Sequence, residues 1–455
     1  MPLPEAFIQK YENLLGADAP AFFTSFNQPV QKGYRLNPLK DLTSFLSQSS
    51  DAKLPYGQWG YYGRVDGHSI AHVTGVQYSQ EPSAQFVGEV LAPQPGERVL
   101  DLAAAPGGKT THLAAFMQGQ GLLWANEIFM NRAKILSENV ERLGLQNVVV
   151  SSQTPAELAQ KLPGYFDKIL LDAPCSGEGM FRKDPDAMQY WHDDYPLECS
   201  LRQKEILASA VQMLRPGGTL VYSTCTFAPE EDEQMIAWLV ATYPEFRIDP
   251  IVKPANSHIS DGQVAWGDNL AQLQGTARLW PNLVQGEGHF VARLVKEADD
   301  NTKIPVPKAL KPAKLSTEEE GLLTDFCKQN LIDFDLNFGR LVRFGDRVFL
   351  APVDCPDLKS FKILRPGLAL GSFKKRRFEP DHALALALSA QQVQQSYELD
   401  EAEWPQYVHG DVLTSRTNFT KGWVLILAQG NGLGWAKYVN GQLKNFYPKG
   451  LRFNV

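Results

Sequence analysis

The residues best suited to chemistry are two cysteines at matching places. Leu170-Leu-Asp-Ala-Pro-Cys-Ser-Gly-Glu-Gly179 puts Asp172 and Cys175 just past one short apolar run, and Tyr222-Ser-Thr-Cys-Thr226 puts Cys225 just past another. Ligand crevices of α/β sheets form beyond the carboxyl ends of the strands, so both thiols should open into one crevice. Such a pair suits methyl transfer to a carbon that is too weak a nucleophile by itself. Carbon-5 of cytosine becomes able to attack a sulfonium methyl once a thiolate adds at carbon-6 and makes the ring enamine-like. The carbon-5 proton must then leave and the thioether be eliminated, which gives a second thiol work as a base or its assistant. Asp172 would hydrogen-bond the amino group or a protonated ring nitrogen, stabilising the charge that addition creates. Spacing alone leaves open which cysteine attacks.

A donor pocket belongs in the same crevice. Val99-Leu-Asp-Leu-Ala-Ala-Ala-Pro-Gly-Gly-Lys-Thr110 runs from an apolar strand through a small-residue turn into a helix, which aims backbone amides at an occupant. The closing Gly-Lys-Thr invites a phosphate-loop reading, but Ala103 stands where that loop needs glycine, and no Gly-x-Gly-x-x-Gly follows the strand. A nucleotide triphosphatase and a dinucleotide enzyme are both disfavoured. The next strand ends at Glu127, whose carboxylate can accept hydrogen bonds from both ribose hydroxyls of a nucleoside. Turn and acid together describe a pocket for S-adenosylmethionine. Lys109 would neutralise the carboxylate of its methionine part or cap the crevice.

Positioning these residues takes alternating strands and helices. Arg98–Leu102, Leu122–Ala125, Val148–Val150, Lys168–Leu171 and Thr219–Tyr222 are short apolar runs of the kind that form buried parallel strands. Between them, Asn131–Leu143 carries Ala133, Leu136, Val140 and Leu143 on one face and stops at Gly144. The fold class is α/β, a doubly wound Rossmann-like domain over 91–297, with an accessory region, expected to bind RNA, at 1–90. Asp299–Ser316, with three prolines and four lysines, reads as an exposed connector, bounded at 298–316. Beyond it, Thr317–Phe334 looks helical, and Leu341–Phe349 and Trp423–Tyr438 have strand character. A small α+β domain over 317–380 and a second small domain over 381–455 are expected.

Composition narrows the function classes. No apolar run approaches the ~20 residues of a membrane span, and Met1–Lys10 lacks the pattern of a secretory signal, so a cytoplasmic protein is expected. The five cysteines are odd in number and lack metal-type spacing, which disfavours disulfides and structural metal. Cys199, Cys327 and Cys355 have no chemical context and read as packing or surface residues. Net charge is −7, but it is divided: from Lys303 onward 21 Lys+Arg face 16 Asp+Glu, while the preceding residues hold 23 and 35. A +5 tail beside a −12 body permits contact with phosphate.

Asp-Leu-Ala-Ala-Ala-Pro-Gly-Gly-Lys, Asp-Ala-Pro-Cys-Ser-Gly, and Ser-Thr-Cys-Thr with Pro229-Glu-Glu-Asp-Glu resemble the Nol/Nop/Sun family of RNA cytosine methyltransferases. Arg35-Leu-Asn-Pro-Leu-Lys40, Gln80-Glu-Pro-Ser83 and Gly288-His-Phe-Val-Ala-Arg293 are similar to it as well, so the likeness runs from about Tyr34 to Leu294. The resemblance implies that Cys225 attacks the base and Cys175 helps release the product, whereas related DNA enzymes attack with the Pro-Cys position. It implies that Ala103, Ala104, Ala105, Pro106, Gly107, Gly108 and Lys109, with Glu127 and Asp172, hold the cofactor, and Arg132 and Thr154 complete that set. Many members carry an acid after the third strand to meet the adenine; here the chain reads Ser152-Gln-Thr-Pro155, which leaves Gln153, Thr154 or a backbone group to substitute. His289 could face the site, but a structural role is expected.

The tail resembles the bacterial branch that modifies small-subunit ribosomal RNA, ending in a PUA-like module around Gly422–Arg452. This implies 16S rRNA, or the small subunit, as the partner of a metal-free monomer. Transfer RNA, a noncatalytic assembly factor of this fold and a DNA enzyme using Cys175 remain the alternatives. Phe373-Lys-Lys-Arg-Arg-Phe378 sets four cations between two aromatics, suited either to phosphate contact with base stacking or to a solvated strand end. Trp435, Lys437, Lys444, Lys449 and Arg452 form a second basic and aromatic set. Because the target base must leave its stack to reach Cys225, a loop or a locally opened helix is the expected substrate.

Overall fold

Apolar runs with nothing to expose must be covered on both faces, and the five such runs build the middle of the main sheet. The computed structural model describes residues 3–299 and 303–455. Residues 300–302 of the expected connector, and the first two of Met1–Lys10, lie outside the described residues. Strands β1 (Arg98–Asp101), β2 (Leu122–Asn126), β3 (Val148–Ser151), β4 (Phe166–Asp172) and β5 (Leu214–Thr224) run parallel in the order β5-β4-β1-β2-β3. Alternate side chains enter two cores: Leu100, Trp124 and Val149 pack on one face, Val99, Leu123 and Val150 on the other. Helices α1 (Pro82–Leu91), α2 (Gly108–Met117) and α3 (Met130–Arg142) cover the second face, and Tyr195–Met213 covers the first. The α3 stripe is the expected one, with Ala133, Leu136 and Val140 buried and Gly144 at φ +69° just past its end.

Two antiparallel strands flank the parallel set. β6 (His289–Lys296) pairs with β5, and β7 (Ile363–Arg365) pairs with β3 on the opposite edge. β7 comes from far beyond the connector, so the tail contributes a strand to the main sheet. The rest of the tail forms a four-stranded and a five-stranded sheet around one shared core that includes Leu323, Phe326, Phe378, Leu425 and Trp435.

Local turn chemistry redraws three expectations. Leu341–Phe349 is a hairpin, Leu341–Phe344 and Arg347–Leu350, turned at Gly345 with φ +63°. Trp423–Tyr438 likewise divides at Gly430 into Gly422–Ala428 and Asn431–Val439. The helix from Thr317 stops at Asn330, because Leu331 is already extended. At the other end of the chain, helices Glu5–Leu15 and Ala19–Ser25 and a three-stranded sheet, residues 33–36, 60–62 and 77–79, precede α1.

Candidate active site

The chain runs β1-β2-β3 outward on one side of β1, then returns to lay β4 on the other, so the strand order reverses between β1 and β4. A crevice opens at that reversal, beyond the strand carboxyl ends. Asp101, Asp172 and Thr224 close β1, β4 and β5, which brings the segments that follow to one place. There Cys175 Sγ and Cys225 Sγ lie 3.4 Å apart, and both residues are partly exposed. Two sulfurs this close cannot both carry charge. The hydrogen bond with Cys225, then burial, push the Cys175 thiol well above its ordinary value.

Asp172 is held from two sides. Lys109 Nζ donates to Oδ2 at 2.7 Å and Ser223 Oγ to Oδ1 at 2.7 Å. Burial opposes its charge, but Lys109 and then His289 outweigh burial and hold the carboxyl below its ordinary value. Lys109 is likewise kept above its own despite burial, by Asp172 and, more weakly, Cys225. His289 stands beside this pair. It is close enough to both groups for their charges to act on it, and neither buried ring nitrogen has a hydrogen-bond partner among the described residues. Burial, then Lys109, depress its pKa.

Two buried carboxylates cross-brace the cysteine segments. Glu231, which follows Cys225, accepts from Ser176, the neighbour of Cys175, through both its amide at 2.9 Å and its hydroxyl, and from Gln203 at 2.8 Å. Glu178, which follows Cys175, accepts from Thr226 Oγ1 at 2.8 Å and the Phe227 amide at 3.1 Å, both next to Cys225. Each segment thus holds the other. Tyr11 and Trp191 also donate to Glu178, which ties the N-terminal helix to the site. Behind Cys225, Thr224 Oγ1 donates to Asp232, and Arg278 pairs with Asp232 at 3.0 Å and Glu233 at 2.5 Å, all of them buried. Arg278→Met should therefore cost about 3–5 kcal/mol of stability by leaving two buried carboxylates unpaired, measurable by chemical denaturation. Sequence reasoning passed over these acids because Glu and Asp are usually solvated.

The glycine turn is built as a cradle. Gly107 sits at φ +114° and opens α2, whose first amides have no intrahelical acceptor. Arg35 is buried and donates to the Gly108 carbonyl at 2.7 Å, to Thr111 at 2.7 Å and to Gln80, so the N-terminal motif residues support the turn from behind. Arg132 donates to the Ala105 carbonyl at 2.9 Å and pairs with Glu127 at 3.4 Å, and Asn139 holds the Pro106 carbonyl. Ala103, Ala104 and Ala105 line the approach, with the Ala104 amide bonded to Asn126. Thr154 caps the helix Pro155–Lys161, its hydroxyl accepting from the Glu157 amide, so that oxygen is committed locally. Gln153 is buried and its Oε1 lacks a partner among the described residues. Asp101, which sequence reasoning did not select, is buried with Oδ1 unpartnered among the described residues, and burial pushes it up to about 7.

Other expected residues lie elsewhere. Cys199, Cys327 and Cys355 are free thiols outside this crevice, with pKa values pushed by burial to about 11, 12 and 12. Phe373 and Phe378 are buried against each other across a hairpin, so they cannot stack on bases; only the cations between them reach solvent, and Lys374 and Arg377 are already paired with Asp346 and Glu379. Trp435 is also core, donating to the Asp381 carbonyl. Among the described residues no helix is long and apolar enough to cross a membrane.

Known proteins resemble this chain. Residues 88–295 match the model of the 16S rRNA methyltransferase RsmB/F family. Residues 3–82, 325–388 and 394–453 match the N-terminal domain, the first C-terminal domain and the PUA domain of methyltransferase RsmF. Ribosomal RNA small subunit methyltransferase F of Vibrio vulnificus is 33% identical over 99% of this chain and 97% of its own. The protein of that name from Shewanella loihica is 32% identical over 97% and 95%. Among solved structures, a methyltransferase homolog from Pyrococcus horikoshii is 30% identical, with a TM-score of 0.56 over 64% of this chain and 95% of that one. Likeness at this level over the whole length shows that the chain belongs to the RsmF branch of the RsmB/F methyltransferase family.

Proposed function

We propose that the protein methylates carbon-5 of a cytosine in 16S rRNA, presented free or in the small subunit, with Cys225 as the attacking thiolate. The reading rests on the 3.4 Å approach of Cys175 and Cys225 at the strand reversal. Cys225 adds to carbon-6 of the ring, and Asp172 meets the amino group or ring nitrogen, where charge builds up. Cys175, beside the adduct, assists removal of the carbon-5 proton, on whose loss the carbon-5–carbon-6 double bond re-forms, the bond from Cys225 to carbon-6 breaks and Cys225 leaves as thiolate.

The crevice suits S-adenosylmethionine, which when bound supplies an electrophilic methyl. Glu127 stands at the end of β2 for the ribose hydroxyls, and Lys109 and the α2 amides stand at the turn for the carboxylate. The orphaned Asp101 Oδ1 and Gln153 Oε1 are buried polar atoms of the kind a ligand satisfies, and Gln153 is the side chain free to stand in for the missing adenine-contacting acid. Arg132 orients Glu127 and the turn together. Glu127→Ala should weaken S-adenosylmethionine about 10–100-fold in calorimetric titration, since it deletes hydrogen bonds to a charged acceptor.

The deciding experiment is transfer of a labelled methyl group to small ribosomal subunits and 16S rRNA from a deletion strain, with transfer RNA alongside, followed by bisulfite mapping. New 5-methylcytidine in 16S rRNA supports the reading. Binding without transfer points to an assembly factor, and label confined to transfer RNA replaces the substrate.

A further inference from the structure

A cavity of about 850 Å³ opens where the N-terminal region, the main sheet and the tail meet. None of Cys175, Cys225, Asp172, Lys109 or Glu127 lines it, so it is separate from the methyl-transfer crevice. α3 supplies one wall with the side it turns away from the sheet, and the residues after Tyr447 supply another. Its size falls within the roughly 300–1,000 Å³ of small-ligand sites.

The chemistry of the walls points to one kind of occupant. Lys134, Arg142, Arg347, Arg365 and Arg452 line the cavity, against Glu138 and Glu141. Most of the cations are fixed in place. Arg365 is bound by Glu141 and by Ser137 Oγ at 3.1 Å, Arg347 by Asp381 at 2.8 Å, and Arg142 by the carbonyls of His72 and Gln77 at 2.9 and 3.0 Å. Lys134 and Arg452 stay exposed, without an ion pair among the described residues. Three buried side-chain nitrogens on these walls have no hydrogen-bond partner among the described residues: His72 Nδ1, His382 Nδ1 and Nη1 of Arg365, a residue only 4% exposed. Ring surface stands beside them, with exposed His68 against Phe453 at 4.8 Å. Surplus cations, unpaired donors and ring faces together fit a phosphodiester that carries a base.

We infer that this cavity holds one unpaired nucleotide of the RNA substrate, away from the methylated base. The assignment rests on the RNA reading above. It anchors the strand at a second point, and does so through phosphate and stacking, so it tolerates sequence.

A fluorescein-labelled oligouridylate tests it on the full-length protein. The probe has no cytosine, so it presents no target base. Lys134→Gln with Arg452→Gln should weaken binding about tenfold and make the dependence of log K on log salt shallower by about 1.4, at about 0.7 per lost phosphate contact. Oligouridylate carrying 4-thiouridine should crosslink to peptides covering residues 130–142 and 447–453. Crosslinks confined to other peptides, with an unchanged salt slope, overturn the assignment. Uridine monophosphate binding as tightly as the oligonucleotide overturns it as well, in favour of a free nucleotide. Crosslinking at these peptides in a protein that transfers no methyl to ribosomal RNA keeps the cavity assignment and removes the catalytic reading instead.

Discussion

Cys225→Ala should lower methyl transfer by at least about 10⁴-fold, because without a thiolate at carbon-6 the ring has no nucleophilic carbon to offer. Cys175→Ala should fail differently. It retains attack and transfer but loses the group beside the adduct, so protein and RNA should stay joined and migrate together on a denaturing gel. The two thiols are neighbours at 3.4 Å, so either could reach the same ring, and the contrast between variants separates their roles. RNA containing 5-fluorocytosine, which cannot lose its carbon-5 substituent, should trap the wild type on Cys225 in peptide mapping. An active, adduct-free Cys225→Ala protein would sink the assignment, as would a trapped base on Cys175.

Breaking the cross-brace comes next in size. Glu231→Ala strips acceptors from the Ser176 amide and hydroxyl and from Gln203, all buried, and should cost at least about 2 kcal/mol of stability. Because Ser176 adjoins Cys175, turnover should fall about 100-fold with little change in KM, as expected when a reacting group is misplaced. Glu231→Gln keeps an acceptor for the two N–H donors and should restore most of both. Equal loss in both variants would mean that acceptors for these N–H donors are not what Glu231 supplies.

The same residue sets a pH dependence. Burial raises its carboxyl to about 8 and that of Asp101 to about 7, so the fold prefers both neutral. The unfolded chain ionises them near ordinary carboxylate values. Their contribution is therefore complete below about pH 4 and is lost as pH climbs toward 7 for Asp101 and 8 for Glu231. Thermal denaturation of Glu231→Gln should show a shallower decline over that range than the wild type.

Much of the sheet was legible because buried parallel strands are continuous apolar runs, and β1 to β5 stand where those runs predict. The two cysteines were legible for a related reason: each directly follows such a run, and strand ends gather at the reversal. What stayed hidden depends on distant partners. Glu178 and Glu231 read as surface acids until their donors arrive from another segment. His289 looks like any histidine on a strand until β6 lays it beside Lys109 and Asp172. The aromatics flanking Lys374–Arg377 look like a stacking platform, but hairpin register turns both inward. Ile363–Arg365 is too short to announce itself, and its partner strand lies more than 200 residues earlier.

That short strand has a consequence for truncation. Without it β3 would present a bare row of amides and carbonyls, the kind of edge that recruits other chains. A protein ended near residue 297 should thus clump as well as lose its tail. The intact chain instead welds its tail to the catalytic floor, and under the proposed function and anchor the span between them acts as a caliper: among many exposed cytosines, it admits those lying at the set distance from a second handhold.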